Sequence, residues 1–488
     1  MPRSILKLSP GIFGNLHFQA TPHASEKRIV HIGLGAFARA HIAVLTQIAN
    51  VEAAQNWRIS GVVRNNQSLK EALGQQGHRY TVYEIAEPSL GRVIDCVDEV
   101  LVWKQDYAAI ISRLSESTTQ LVTITVTEKG YHLNHQGTLN LDDDEINLDL
   151  KHCSPETPES ISSSNPALTL PGLLCQAARV RMQEGMPGLS LLSCDNLSSN
   201  GKLLKAALVE FASKANAQLG EWIEQNFNCP DTVVDCIVPK VTPEQVRLVQ
   251  SKLNVDDDVP VLCEPFRQWV IGEKNLFAHS LAPPWELSGA EFVSDTRLYE
   301  EQKLRILNAA HSALAYLGLL QGCRWVSEAI AKQEIRDQLN LLMEEVLRCF
   351  ADQASALNYY RSVVTRFENQ AMRHELTQIG TDGSNKIPLR WGPSISAIQH
   401  DGRDTSAFAV AIAAWLACWK MLPTEKIDDM SDPKQSAILL LAEQLAQSRS
   451  DTKLWHELLG VEPGEGLQQE IQAAFLKFSN SNESAINS

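Results

Sequence analysis

Two hydrophobic periodicities divide the chain. In its first half, short apolar runs rich in β-branching read as strands: "RIVHI" (28–32), "WRISGVV" (57–63), "QLVTITVT" (120–127), "GLSLLSCDN" (188–196) and "VPVLCEPF" (259–266). Helical patterns lie between several of them, beginning with Phe37 to Ala49. Strands alternating with helices predict a mostly parallel, doubly wound sheet. From about Glu301 the strand signals fade, and "EAIAKQEIRDQLNLLMEEVLRCFADQ", "FAVAIAAWLACWKML" and "SAILLLAEQLAQ" carry helical spacing. The pattern predicts an α/β domain over residues 1–286 and a mostly α-helical domain over residues 287–488. The polar stretch from Asp142 to Pro166 reads as a surface excursion, and the tail "SNSNESAINS" as unstructured.

Composition narrows the function classes. With 43 basic against 58 acidic residues the net charge is −15, the wrong balance for a protein that tracks a phosphate backbone, so no nucleic-acid partner is expected. The ten cysteines are scattered without a C-x-x-C pair, which suits reduced thiols and neither a zinc knuckle nor a disulfide framework. The longest uncharged apolar run, Phe408 to Trp419, spans 12 residues. A bilayer needs about 20, so it reads as a core helix. The N-terminus lacks the apolar run of a signal peptide. The expectation is a soluble, cytoplasmic protein without membrane partners.

Candidate chemistry begins at "HIGLGAFARAH". Gly33 and Gly35 allow a tight turn after a strand, and the helix that follows would receive a pyrophosphate at its N-terminus. This is the turn of a Rossmann-like domain, with Ile32, Gly33, Leu34, Gly35, Ala36 and Phe37 as cofactor-binding candidates. Arg39 is either a solvated first-turn residue or a phosphate contact. Arg64 ends the second strand, where a carboxylate would bind a ribose. There an arginine leans toward a 2′-phosphate, or is a solvated strand end. Asp195 and Asn196, in "SCDNLSSNG", either cap the next helix or face the crevice where ligands bind. Asp235 interrupts the apolar run of "DTVVDCIVP".

"KLRILNAAHSALAYLG" (303–318) reads as a core helix carrying Lys303, Asn308 and His311. Each costs free energy if desolvated without a partner. Asn308 and His311, three apart, share a helix face, whereas Lys303 lies about 12 Å along the axis from His311. A bland reading, a solvated lysine and two internally satisfied polar residues, stays open on this pattern alone.

These motifs, with "TVTEKGY", "CEPFRQWVI" and "RFENQAMRHELTQIGTDGSNKIPLR", occur in the order of the long-chain polyol dehydrogenases, the mannitol dehydrogenase family, which the chain resembles from about residue 28 to 391. The resemblance implies a zinc-independent oxidoreductase with NAD as cofactor, metal-free, acting on a sugar acid or polyol as a monomer or small homo-oligomer. It adds Thr127, Glu128 and Lys129 to the cofactor residues. It places the general base on Lys303, oxyanion donors on Asn196 and Asn308, lysine orientation on His311 and tuning on Asp235, with catalysis in the interdomain crevice. Substrate contacts fall to Asn196, Arg373, His374, Lys386 and Arg390, with Arg373 or Arg390 binding a carboxylate. The wording is nearest the uronate branch, implying D-mannonate and D-fructuronate interconversion in hexuronate breakdown. A polyol 2-dehydrogenase acting on mannitol or arabinitol is the alternative, and a non-catalytic dinucleotide sensor a remote one. Two positions depart from the family pattern: Ala38 replaces a histidine, and Cys236 replaces an arginine.

Overall fold

The computed structural model describes all residues except 1–2, 6–7, 23–25, 87, 135, 154–164, 273–281, 404, 424–426, 428, 450 and 487–488, and except the side chains of 13 and 481–486. It forms two compact units, Met1–Arg297 and Leu298–Ser488.

The first unit is built on a five-stranded parallel sheet. Its strands are β1 (Glu26–Ile32), β2 (Asn56–Val63), β3 (Val97–Val102), β4 (Thr119–Ile124) and β5 (Ser190–Ser193), in the order β3-β2-β1-β4-β5. That is the doubly wound order, with its switch point between β1 and β4, where the carboxyl ends of the strands open a crevice for a ligand. Helices cover both faces. Ile29, Val30, Val62, Val122 and Leu191 are almost fully buried, as a parallel sheet requires. The sequence reading missed β3, "VDEVLV". It assigned "VPVLCEPF" to a strand, but Val261–Cys263 joins a second five-stranded sheet, pairing in parallel with Tyr80–Glu84. A third sheet holds β6 (Thr232–Asp235) antiparallel to β7 (Gln268–Gly272), which runs parallel to β8 (Glu291–Val293).

The stretch from Asp142 is less of a surface excursion than its composition suggests. Asp144–Cys153 is a helix that buries Ile146, Asp149, His152 and Cys153. The Asp149 carboxylate accepts hydrogen bonds from the Leu168 and Thr169 backbone and from the Thr169 hydroxyl. Residues 154–164 of that stretch lie outside the described residues.

The second unit is built of helices joined by short connections among the described residues. Ser406–Met421 is buried on every face through Ile412–Cys418, which explains its unbroken apolar run. The tail continues the last helix, Glu465–Ile486, instead of ending it. Among the described residues, no helix is long and apolar enough to cross a membrane.

Candidate active site

At the β1 end, the conformation of Gly33 makes the residue type obligatory. Its φ is +101°, and a Cβ there would lie 2.0 Å from the Thr125 carbonyl oxygen. L-residues strain at that angle and cannot accept that contact. Gly35 precedes helix α1 (Ala36–Ala40) and is exposed; a Cβ there would meet only the Gly33 oxygen, at 3.7 Å. An open, side-chain-free backbone at a helix start fits a dinucleotide's phosphates. Ile32 and Leu34 are buried beneath the turn, Leu34 packing against Gly61, while Ala36 and Phe37 are half-buried.

Arg39 does not offer a phosphate contact. Its guanidinium turns inward, donating to the Val259 carbonyl at 2.7 Å and lying over the Tyr80 ring. Arg64 is also engaged: it donates to the Leu168 carbonyl, lies 3.6 Å from Glu145 and covers the Trp103 ring.

Across the switch point, Thr127, Glu128 and Lys129 are exposed just beyond β4. Asp195 holds this loop. Its carboxylate accepts from the Val126 N–H at 3.0 Å, the Thr127 N–H at 2.9 Å and the Tyr131 hydroxyl at 2.8 Å. Thr127 is kept at φ +67°, a conformation costly for a β-branched residue. Burial nonetheless pushes the Asp195 carboxyl above its usual range. Asp195 therefore braces two strand ends and does not cap a helix, leaving Asn196 exposed beside it. The inward anchor is Asn200, which sequence reasoning missed. Its amide donates to the Ser193, Asp195 and Thr232 carbonyls and accepts from the Thr232 N–H. Asp235 is buried at the end of β6, opposite Gln268.

In the second unit, the helical run from Arg297 to Leu320 is not uniformly α. Lys303–Asn308 is a π-helical segment, followed by α2 (Ala309–Leu320). A π turn bonds residues five apart and so brings Lys303 and Asn308 onto one face, which α spacing would not. Such segments recur at functional sites because they aim side chains that an α-helix would disperse. Two groups brace the junction: Arg390 donates to the Asn308 carbonyl at 3.2 Å and to the Ser312 hydroxyl at 2.7 Å, and the Trp391 indole donates to the Ala309 carbonyl.

His311 is buried, its ring 4.5 Å from that of Phe367 and edge-on to His374 at 5.2 Å. The buried His311 Nε2 and His374 Nδ1 have no hydrogen-bond partner. Burial first, then the cations or potential cations His374, Arg366, Arg390 and Lys386, hold the His311 imidazole well below its usual range, hence neutral. Burial pushes the Arg390 guanidinium down to about 10. Lys386 donates to the Thr381 carbonyl at 2.6 Å.

Arg373 belongs elsewhere. It is exposed over the Trp325 ring, and residues 373–374 lie in a non-helical connection. Arg366, at the end of the helix Gln353–Phe367, is the arginine that joins Arg390 around His311. Its signal was available in the same motif, twenty-four residues before Arg390. Among the described residues, no group of three metal-ligating side chains is positioned to hold a metal ion.

A Rossmann-type unit with a side-chain-free phosphate turn, paired in one chain with a helical unit carrying a lysine, asparagine and histidine on successive turns, defines a dinucleotide-dependent oxidoreductase. The mannitol dehydrogenase Rossmann domain matches residues 27–286, and the mannitol dehydrogenase C-terminal domain matches residues 295–476. The chain belongs to the mannitol dehydrogenase family, oxidoreductases acting on CH–OH groups. It is 34% identical over 427 residues to D-mannonate oxidoreductase of Escherichia coli (strain K12), covering 86% of this chain and 84% of that protein. Among solved structures it resembles D-sorbitol dehydrogenase in substrate-free form, with a TM-score of 0.83, 27% identity and 99% of each chain covered. It also resembles the Pseudomonas fluorescens mannitol 2-dehydrogenase ternary complex with NAD and D-mannitol, with a TM-score of 0.79, 29% identity and coverage of 97% and 96%.

Proposed function

We propose that this chain is an NAD-dependent oxidoreductase that interconverts D-mannonate and D-fructuronate. The observation that carries the substrate class is the setting of His311: two arginines, a lysine and a second histidine act on one buried, neutral imidazole. Such a cluster suits a substrate carboxylate, which accepts charge-assisted hydrogen bonds from guanidinium groups. The 34% identity to D-mannonate oxidoreductase supports the same reading.

The turn from Ile32 to Phe37 and the loop Thr127–Lys129 are proposed to hold the dinucleotide. NAD is favoured over NADP because Arg64, the residue suited to a 2′-phosphate, already faces Glu145. A dinucleotide held there would supply the hydride acceptor for oxidation of the alcohol carbon. Lys303 takes the hydroxyl proton as general base, which requires a neutral amine. The Asn308 amide donates to the developing alkoxide. His311, held neutral, orients Lys303 from the same helical run without adding charge.

A polyol substrate is the second reading, favoured by the structural likeness to the sorbitol and mannitol enzymes. The deciding experiment measures kcat/KM for mannonate, fructuronate, mannitol, sorbitol and arabinitol with each nicotinamide cofactor. Preference for the acid pair with NAD is expected. Preference for a neutral polyol would replace the uronate reading.

A further inference from the structure

Cys236, which stands where the family pattern has arginine, lies next to a second thiol. It follows β6 directly and is half-buried, and the buried Cys263 stands on the adjoining segment. The backbone holds the two segments side by side: the Glu264 N–H donates to the Ile237 carbonyl at 3.1 Å, and the Ile237 N–H donates to the Glu264 carboxylate at 2.6 Å. Arg267 completes the group. Its guanidinium donates to the Cys263 sulfur at 3.1 Å while anchored to the Ala40 carbonyl at 2.7 Å and Glu84 at 2.8 Å.

We propose that Cys236 and Cys263 form a modification site, a thiol pair that hydrogen peroxide oxidises to a disulfide. In the first step the Cys263 thiolate attacks one peroxide oxygen and the O–O bond breaks. Cys263 becomes a sulfenic acid, and the departing hydroxide takes up a proton as water. In the second step the Cys236 sulfur displaces that hydroxyl group. An S–S bond forms, a second water leaves, and the peroxide has accepted the two electrons.

Polarity assigns the nucleophile. The Cys236 thiol and then Arg267 draw Cys263 below the ordinary thiol range, against burial and the carboxylates of Glu84 and Glu264. Cys236 is driven the opposite way by Cys263 and by burial, so it stays protonated as the resolving thiol. Thiolates beside a guanidinium are the ones that react. The half-buried Cys236 supplies the route from solvent. A comparison within the chain sharpens the assignment. Cys153 and Cys175 also lie together, but both are buried, and Arg179 donates to the Cys153 carbonyl oxygen instead of a sulfur. The chemistry is independent of which sugar the enzyme turns over.

The test exposes the fully reduced full-length protein to one equivalent of hydrogen peroxide. Samples are quenched with iodoacetamide at intervals, and all ten cysteines are followed by peptide mass spectrometry. Cys236 and Cys263 should lose alkylation together, in a cross-linked peptide lighter by two hydrogens. They should do so about tenfold faster than the half-buried Cys229 and Cys349 and faster than the Cys153–Cys175 pair. In Cys236→Ser, dimedone should label Cys263 and no cross-link should form. The proposal is overturned if Cys229, Cys349 or Cys153 reacts first in the wild-type protein, or if Cys263 in Cys236→Ser acquires no dimedone adduct.

Discussion

His31 sits inside β1, one residue from the glycine turn, and is fully buried. Its Nδ1 lies 2.8 Å from the Thr123 hydroxyl and its Nε2 3.0 Å from the Thr125 hydroxyl. Thr125 uses its one hydroxyl hydrogen on the Gly33 carbonyl, at 2.7 Å. Nε2 must therefore donate to Thr125, and Nδ1 accepts from Thr123, which defines a neutral tautomer. Protonation would place a second N–H against the Thr123 hydroxyl, in a fully buried site. Burial accordingly lowers the imidazole to about 4, from 6.5. The folded protein thus binds fewer protons than the unfolded chain between those values, so stability is full above pH 6.5 and falls as pH drops toward 4. The complete difference is about 3 kcal/mol, most of it lost by pH 4.5. His31→Gln keeps a donor and an acceptor but cannot titrate. Native-state hydrogen exchange of the β1 amides in both proteins at pH 7 and 4.5 separates this titration from other acid effects. Wild type should lose about 2–3 kcal/mol more protection than the variant. Parallel losses would refute the buried neutral imidazole as the brace of the turn.

Gly33→Ala should abolish NADH binding, read by nucleotide fluorescence, because neither the positive φ nor the 2.0 Å approach to Thr125 admits a methyl group. Lys303→Ala should lower kcat by about 10²–10⁴-fold with NADH binding intact, and a variant keeping more than about a tenth of kcat would remove Lys303 from the base role. Arg390→Leu should raise KM for mannonate by about ten- to a hundredfold, the loss of one charge-assisted hydrogen bond, whereas Arg373→Leu should leave it unchanged. Equal effects would mean that the arginine over Trp325 also reaches substrate. Asp195→Asn should raise KM for NAD, since an amide cannot accept from all three donors that hold Thr127 in its strained conformation.

What the sequence disclosed, and what it hid, follows from where polar residues stand relative to the apolar pattern. The glycine turn and four of the five central strands are legible because burial on both faces of a parallel sheet demands unbroken β-branched runs. β3 escapes because Asp98 and Glu99 interrupt it, and both acids serve Arg28, with Glu99 also accepting from Ser60 and Arg113. "VPVLCEPF" was legible as a strand, but an apolar run reports burial and not the sheet it joins. The π segment is invisible for a related reason. Over six residues, α and π spacing bury the same Ile306 and Leu307, and the phase slip shows only in which polar residues then coincide. Arg366 and Arg373 fall in different surroundings because the chain leaves the helix after Phe367, a turning point that the spacing of charges does not mark. Secondary structure is thus readable from apolar residues alone. The candidate site is written instead in the polar exceptions to that pattern, at His31, Asp195, Asp235, Asn308 and His311. Their meaning depends on partners that come from distant strands and turns: Thr125 for His31, Thr127 for Asp195, Arg390 for Asn308. Sequence spacing cannot supply those partners, because each pairing is set by the order of the sheet or by the course of a turn.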